Sequence, residues 1–178
     1  PGRGGLGVVG GGVVGSRHLR AIDDVEEAEL VAIVDKDPEA GESAAERGVR
    51  FYSSTEEMLR SEGPDGVIVS TPTDCHLEPV LDALRAGAHV LVEKPLTATM
   101  EEARAIIDLA EQVSRHVLVA HHRRYYECVR TARQMVQEGV LGELVGVCGQ
   151  WTVRKSDAYF EPDWRQTRAA GPVLTNLI

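Results

Sequence analysis

The chain has 178 residues, 43% hydrophobic and 26% charged, an ordinary globular composition with room for one domain and part of a second. Its formal net charge of −9 argues against nucleic acid or an anionic membrane surface as partner, since both select basic patches. No apolar stretch approaches the roughly 20 residues that span a bilayer. The segment PGRGGLGVVG lacks signal-peptide regions, and Cys75, Cys128 and Cys148 form neither a disulfide framework nor a metal spacing, so a reducing cytoplasm is the expected location.

In chain order, short apolar runs predict strands at Leu6–Val9, Leu30–Val34, Arg50–Tyr52, Val67–Val69, Val90–Val92 and Val117–Ala120. Helical patterns alternate with them. Val14–Ile22 follows a glycine cluster. Pro38–Arg47 opens with Pro38 at its first position behind Asp37 as cap. Ser54–Ser61 has Thr55, Met58 and Leu59 at helical spacing. Leu77–Ala86 stops at Gly87, a natural C′ residue. Thr99–Val113 opens on a Thr99–Glu102 capping box and carries Ile106, Ile107, Leu109 and Ala110 as its buried stripe. Strands alternating with helices of this length indicate βαβ units, hence an α/β fold with a doubly wound parallel sheet.

Beyond residue 120 the character changes. Glu127–Glu138 reads as a helix ending at Gly139. Glu143–Val153 reads as a longer strand whose apolar residues, Val145, Val147, Trp151 and Val153, alternate with more polar ones. The division expected is a dinucleotide-binding domain at 1–120 and, at 121–178, the incomplete start of a second domain. The apolar run LTNLI before Ile178 reads as an interruption.

Five strand ends carry the candidate chemistry. Gly10, Gly12 and Gly15 form G-x-G-x-x-G, with Val13 and Val14 between the last two, directly after the first strand and opening a helix. Such glycines allow a tight turn and close approach of backbone N–H groups to a pyrophosphate, where the helix N-terminus adds partial positive charge. Twenty residues past Gly15, Asp35 ends the second strand and is spaced to accept hydrogen bonds from ribose hydroxyls. Its charge would repel a 2′-phosphate, so NAD is favoured, while the neighbouring Lys36 keeps NADP open. Ser70, Thr71 and Pro72 end the Val67–Val69 strand beside the nicotinamide half of such a cofactor. Thr73 or Asp74 can cap the next helix, and His76 falls in its first turn. After Val92 come Glu93, Lys94 and Pro95, a charged pair and a fixed turn at a carboxyl strand end, where open α/β sheets bind ligands. A lysine near apolar surroundings can have its pKa lowered and exchange protons. Of the run His121–Tyr125, His122 and Arg124 are candidates to face the cleft; adjacent histidines on extended chain point apart, so no metal site is expected.

Together the G-x-G-x-x-G turn, Asp35, Thr71-Pro72 with His76, and Glu93-Lys94-Pro95 resemble the glucose–fructose oxidoreductase/inositol dehydrogenase (Gfo/Idh/MocA) family. The resemblance extends through His121–Tyr125 and the GELVGV segment. It implies an NAD(P)-dependent oxidoreductase of sugars, cyclitols or related polyols. The implied fold is a Rossmann domain followed by an α/β domain with a mostly antiparallel open sheet, through which homo-oligomers form. By resemblance Lys94 is catalytic and either hydrogen-bonds the reacting oxygen or sits in the proton relay, Glu93 and His76 lie near the cofactor, and the Lys94–Pro95 bond is cis. The family pairs this lysine with an Asp and a His four residues apart. Thr175 stands where the Asp is usual and the His would fall beyond Ile178, a departure that keeps a dinucleotide-binding module without turnover as the alternative. Trp164-Arg165 resembles a segment near the substrate pocket, with Arg165 or Arg168 a candidate substrate contact.

Overall fold

The computed structural model describes residues 2–150, 152–161 and 166. Six strands, β1 (Gly4–Val9), β2 (Ala28–Val34), β3 (Arg50–Tyr52), β4 (Gly66–Val69), β5 (His89–Val92) and β6 (Val117–Val119), form one sheet in the order β3-β2-β1-β4-β5-β6. Every pairing is parallel. The order reverses between β1, at whose end the glycines sit, and β4. This is the doubly wound Rossmann sheet, and the crevice at that reversal is its ligand position.

Helices α1 (Gly15–Asp23), α2 (Ala40–Glu46), α3 (Thr55–Glu62), α4 (Leu77–Arg85) and α5 (Met100–Gln112) cover both faces. The period of two along the strands divides the core. Val8, Ile33 and Ile68 pack with Leu19 and Ile22 of α1 and Ala44 of α2. Val9, Val67, Val69, Val90 and Val92 pack on the other face with Met58, Leu84 and Ile106. Both faces of the central strands are therefore apolar, which is why they read as unbroken runs rather than alternating ones.

Local signals set the element ends. The Thr99 hydroxyl accepts the Glu102 N–H and the Glu102 carboxylate accepts the Thr99 N–H, so the capping box is complete. Gly87 follows α4 at φ +84°, as a C′ glycine should. Three local expectations are corrected. Asp37 does accept a following N–H, that of Glu39, but the regular helix starts at Ala40 rather than Pro38. Neither Thr73 nor Asp74 caps α4 through its side chain; a 3-10 turn at Thr73–Cys75 leads into that helix instead. Ile107 is 49% exposed, because Ile106 and Ala110 define the buried stripe and residue 107 lies about 100° around the helix from 106.

Past β6 a 3-10 turn (His122–Tyr125) leads to α6 (Glu127–Gln137), with Gly139 following at φ +72°. The described residues of the expected strand at 143–153 form no ladder, and Val145 and Val147 are 98% and 88% exposed. Alternating apolarity marks a face that needs cover; a strand also needs a neighbour to take its N–H and C=O groups, and no such neighbour lies among the described residues. None of the described helices is long and apolar enough to cross a membrane.

Candidate functional site

The residues singled out above from the first, second, fourth and fifth strands gather at the carboxyl edge of the sheet. Gly10 leaves β1 at φ +96°, and a Cβ there would lie 2.7 Å from the Ser70 carbonyl carbon, so the turn and the β4 end meet backbone to backbone. The Ser70 hydroxyl locks that contact by donating to the Gly10 carbonyl at 2.8 Å. Gly12 differs: a Cβ there would meet nothing within 4 Å, so the space over the turn is open. Val13 and Val14 are exposed beside it, and the first turn of α1 carries no acidic residue to compete with an anion. An open glycine turn at an uncontested helix N-terminus fits a dinucleotide pyrophosphate.

Asp35 follows β2 and faces the same turn. Its Oδ2 accepts the Gly11 N–H at 2.6 Å and its Oδ1 the Asp37 N–H at 2.9 Å. Each carboxylate oxygen keeps a further lone pair for a ribose hydroxyl. Lys36 is exposed. At the end of β4, partial burial and then the Asp74 charge push the Cys75 thiol above its ordinary 9.0, the opposite of what a nucleophile needs.

His76, expected near the cofactor, is buried. It is 1% exposed, with Nε2 2.9 Å from the Thr71 carbonyl and Nδ1 3.0 and 3.2 Å from the Pro95 and Leu96 carbonyls. The ring thus sits beneath the site and ties the loop after β4 to the loop after β5. Carbonyl oxygens face both ring nitrogens, so whichever nitrogen carries the proton of the neutral ring has an acceptor in that buried spot.

Glu93 and Lys94 extend β5, and the Lys94–Pro95 peptide bond is cis. Both side chains are partly buried. Burial pushes the Lys94 ammonium below the ordinary lysine value of 10.5; Glu93 and Tyr159 oppose the change, while Arg123 and Lys155 add to it. For the Glu93 carboxylate, burial acts upward but is outweighed. The His18 hydrogen bond and charge, with the Lys94 N–H and charge, hold it below the ordinary 4.5. The edge therefore offers a lysine biased toward releasing its proton beside a carboxylate kept ionised.

Two contributions escaped the sequence reading. His18, on α1, places Nε2 2.8 Å from Glu93 Oε1. Its signal was present: Gly15, Leu19 and Ile22 form the buried stripe of α1, and His18 falls on it at helical spacing. Arg123, rather than its flagged neighbours, is the member of His122–Tyr125 whose charge acts on Lys94. His122 instead packs edge-on against Tyr126 at 5.8 Å, and Arg124 is exposed. The 3-10 turn rotates these residues away from the alternation assumed for extended chain. Arg165, Arg168 and Thr175 lie outside the described residues. Among the described residues no three His, Cys, Asp or Glu side chains gather as a metal site.

Comparison with known proteins matches residues 5–121 to the GFO_IDH_MocA family model, described as an oxidoreductase family with an NAD-binding Rossmann fold. The rhizopine catabolism protein MocA of Rhizobium meliloti is 33% identical over 147 residues, covering 82% of this chain and 46% of that protein. An NAD-binding protein from Listeria innocua superposes with a TM-score of 0.80 at 31% identity, over 98% of this chain and 51% of its own. The scyllo-inositol dehydrogenase of Lactobacillus casei, solved with NAD(H) and scyllo-inositol, gives 0.76 at 27% identity, over 79% and 43%. The chain thus spans about half the length of the relatives it matches. With its family match running from β1 to the end of β6, the chain belongs to the Gfo/Idh/MocA oxidoreductase family and carries that family's NAD-binding Rossmann fold.

Proposed function

We propose that this chain supplies the cofactor-binding half, and the lysine, of an NAD-dependent dehydrogenase acting on a secondary hydroxyl of a sugar, cyclitol or related polyol. The observation that carries the reading is the convergence, on one sheet edge, of an open glycine turn, Asp35 and a lysine of lowered pKa. The scyllo-inositol dehydrogenase relative, solved with NAD(H) and scyllo-inositol, supports the substrate class.

In this reading the backbone of Gly10–Gly15 and the N-terminus of α1 hold the pyrophosphate. Asp35 accepts from the adenosine ribose and disfavours a 2′-phosphate there. Ser70, Thr71 and Pro72 border the nicotinamide half. When bound, the nicotinamide supplies the two-electron redox step. Lys94 donates a hydrogen bond to the reacting oxygen and, with its pKa lowered, takes part in moving that oxygen's proton. Residues 1–120 form the cofactor domain and the residues after 120 begin the substrate and assembly domain. The exposed Val129, Met135 and Val136 of α6 fit a covered interface in the whole protein.

A panel of cyclitols, sugars and sugar acids, followed at 340 nm with the protein carrying its complete second domain, tests the activity. Turnover with at least one member, lost in Lys94→Ala, is expected. Full activity in Lys94→Ala sinks the mechanism. Preference for NAD should relax toward NADP in Asp35→Ser; an unchanged preference removes Asp35 from the ribose contact. Thr175, in place of the family's usual aspartate, is what favours a binding module without turnover. NADH binding with no turnover across the panel supports that second reading.

A further inference from the structure

One contact at the site has no part in the dinucleotide reading. His18 stands on α1, the helix whose N-terminus faces the glycine turn, and reaches across 75 residues of chain to Glu93, just past β5. Its Nε2 lies 2.8 Å from Glu93 Oε1, and both side chains are less than one-fifth exposed. Glu93 Oε2 accepts the backbone N–H of Lys94 at 3.3 Å. A glutamate has three rotatable side-chain bonds, and Glu93 has an ammonium on the next residue. Without His18, Coulomb attraction would turn the carboxylate toward that ammonium and stabilise its charged form. With His18 in place, one carboxylate oxygen is held against α1.

We propose that His18 is a positioning residue: by holding the Glu93 carboxylate against α1, it leaves Lys94 able to exchange a proton in the catalytic site. The inference rests on the dehydrogenase reading and adds to it a device that ties the cofactor helix to the reactive lysine. The ionisable groups acting on Lys94 from the surrounding elements are its neighbour Glu93, Arg123 from the turn after β6, and Lys155 and Tyr159 from the segment ending at Phe160. Arg123 and Lys155 favour the neutral amine, while Glu93 and Tyr159 favour the ammonium. Freeing the Glu93 carboxylate therefore strengthens one of the two opposing influences.

The chain's three lysines, Lys36, Lys94 and Lys155, make the test direct. Reductive ¹³C-methylation gives each a resonance whose shift follows its protonation, with Lys94→Arg assigning the signal. In the unsubstituted protein Lys94 should titrate below 10.5. His18→Ala should raise its midpoint by about half to one pH unit. His18→Gln, whose amide N–H stands in for the Nε2 donor, should keep it within about 0.2 of the starting value. In a Glu93→Gln background the midpoint should fall, and His18→Ala should then change nothing. An identical Lys94 midpoint with and without His18 overturns the proposal. So does His18→Gln shifting as far as His18→Ala, or a His18 effect that survives in Glu93→Gln. Should His18→Ala unfold, His18→Leu, which keeps apolar bulk beside the buried stripe of α1 while removing the donor, takes its place in each comparison. NADH binding, measured in parallel by fluorescence, separates the two levels: its absence in the unsubstituted protein sinks the dehydrogenase reading while the Lys94 titration still decides the role of His18.

Discussion

Gly10 and Gly12 belong to one motif, yet alanine should act on them in opposite ways. At Gly10 the backbone sits at φ +96°, which costs a side-chain-bearing residue about 1–2 kcal/mol. A Cβ there would also stand 2.7 and 2.8 Å from the Ser70 carbonyl atoms and 2.9 Å from the Thr71 nitrogen. These are backbone atoms at the end of a buried strand, so none can rotate aside, and such overpacking adds roughly 1–3 kcal/mol. Gly10→Ala should therefore lose about 2–5 kcal/mol, a drop in melting temperature of roughly 5–20 °C for a chain of this size. Gly12 has no positive φ and nothing within 4 Å of a Cβ. Gly12→Ala should melt within about 1–2 °C of the unsubstituted protein, since it touches none of the features behind large losses. Its methyl group, however, stands in the space a pyrophosphate needs, and NADH affinity should weaken at least about tenfold, or ~1.4 kcal/mol. Thermal melts followed by circular dichroism, with NADH titrations by fluorescence energy transfer, read both quantities. At NADH near 100 times its Kd the unsubstituted protein gains about 2.7 kcal/mol from binding, and Gly12→Ala should lose part of that gain. Equal melting of the two variants, or unweakened NADH binding by Gly12→Ala, would refute the division of labour.

Further outcomes follow from packing, capping and charge. Ile106 is fully buried between α5 and the sheet, so Ile106→Ala should cost about 2–5 kcal/mol in urea unfolding; a loss under about 1 kcal/mol contradicts that packing. Thr99→Ala removes one arm of the capping box and should cost about 1 kcal/mol, with Thr99→Ser restoring most of it; equal melting of all three proteins would empty the cap of energetic content. Glu93 has its folded pKa below the unfolded value, so its stabilisation is present above about pH 4.5 and fades as pH falls through the folded value. The melting gap between the unsubstituted protein and Glu93→Gln should accordingly close on acidification from pH 7, and a gap that widens contradicts the sign. Lys94 is also lowered, but for a cation this means the unfolded chain binds more protons. Stability from this group should therefore rise between its folded value and 10.5, a rise that Lys94→Met should abolish.

How legible the chain was depended on whether a signal was local. Strands β1, β2, β4 and β5 were readable because βαβ crossovers cover both faces of the sheet, leaving runs such as Val67-Ile68-Val69 that need no knowledge of their neighbours. The α5 start was readable because Thr99 and Glu102 bond to each other's backbone within one turn. The expected strand at Glu143–Val153 forms no ladder among the described residues, and a ladder depends on a second segment that alternation does not name. Ile107 failed for a subtler reason: four apolar residues in a row of five positions leave the helix phase ambiguous, and packing of Ile106 against the sheet resolved it.

The candidate site divides in the same way. Gly10, Gly12, Asp35 and Lys94 each follow the end of a short strand, and parallel pairing brings all such ends to one edge whatever the details of packing. Their meeting thus follows from topology. The partners that set the state of Lys94 do not. His18 meets Glu93 only because α1 crosses back over the sheet with that side chain on its buried stripe. Arg123 acts on Lys94 because a 3-10 turn, rather than extended chain, follows β6. Strand ends therefore told where chemistry is placed, while the protonation behaviour of its central residue depends on side chains from α1 and from beyond β6. It follows that a relative keeping the Glu93-Lys94-Pro95 triplet but lacking a hydrogen-bond donor at the His18 position should hold a lysine of higher pKa. Comparing pH–rate profiles across such relatives would test that dependence, and profiles indifferent to the residue at that position would count against it.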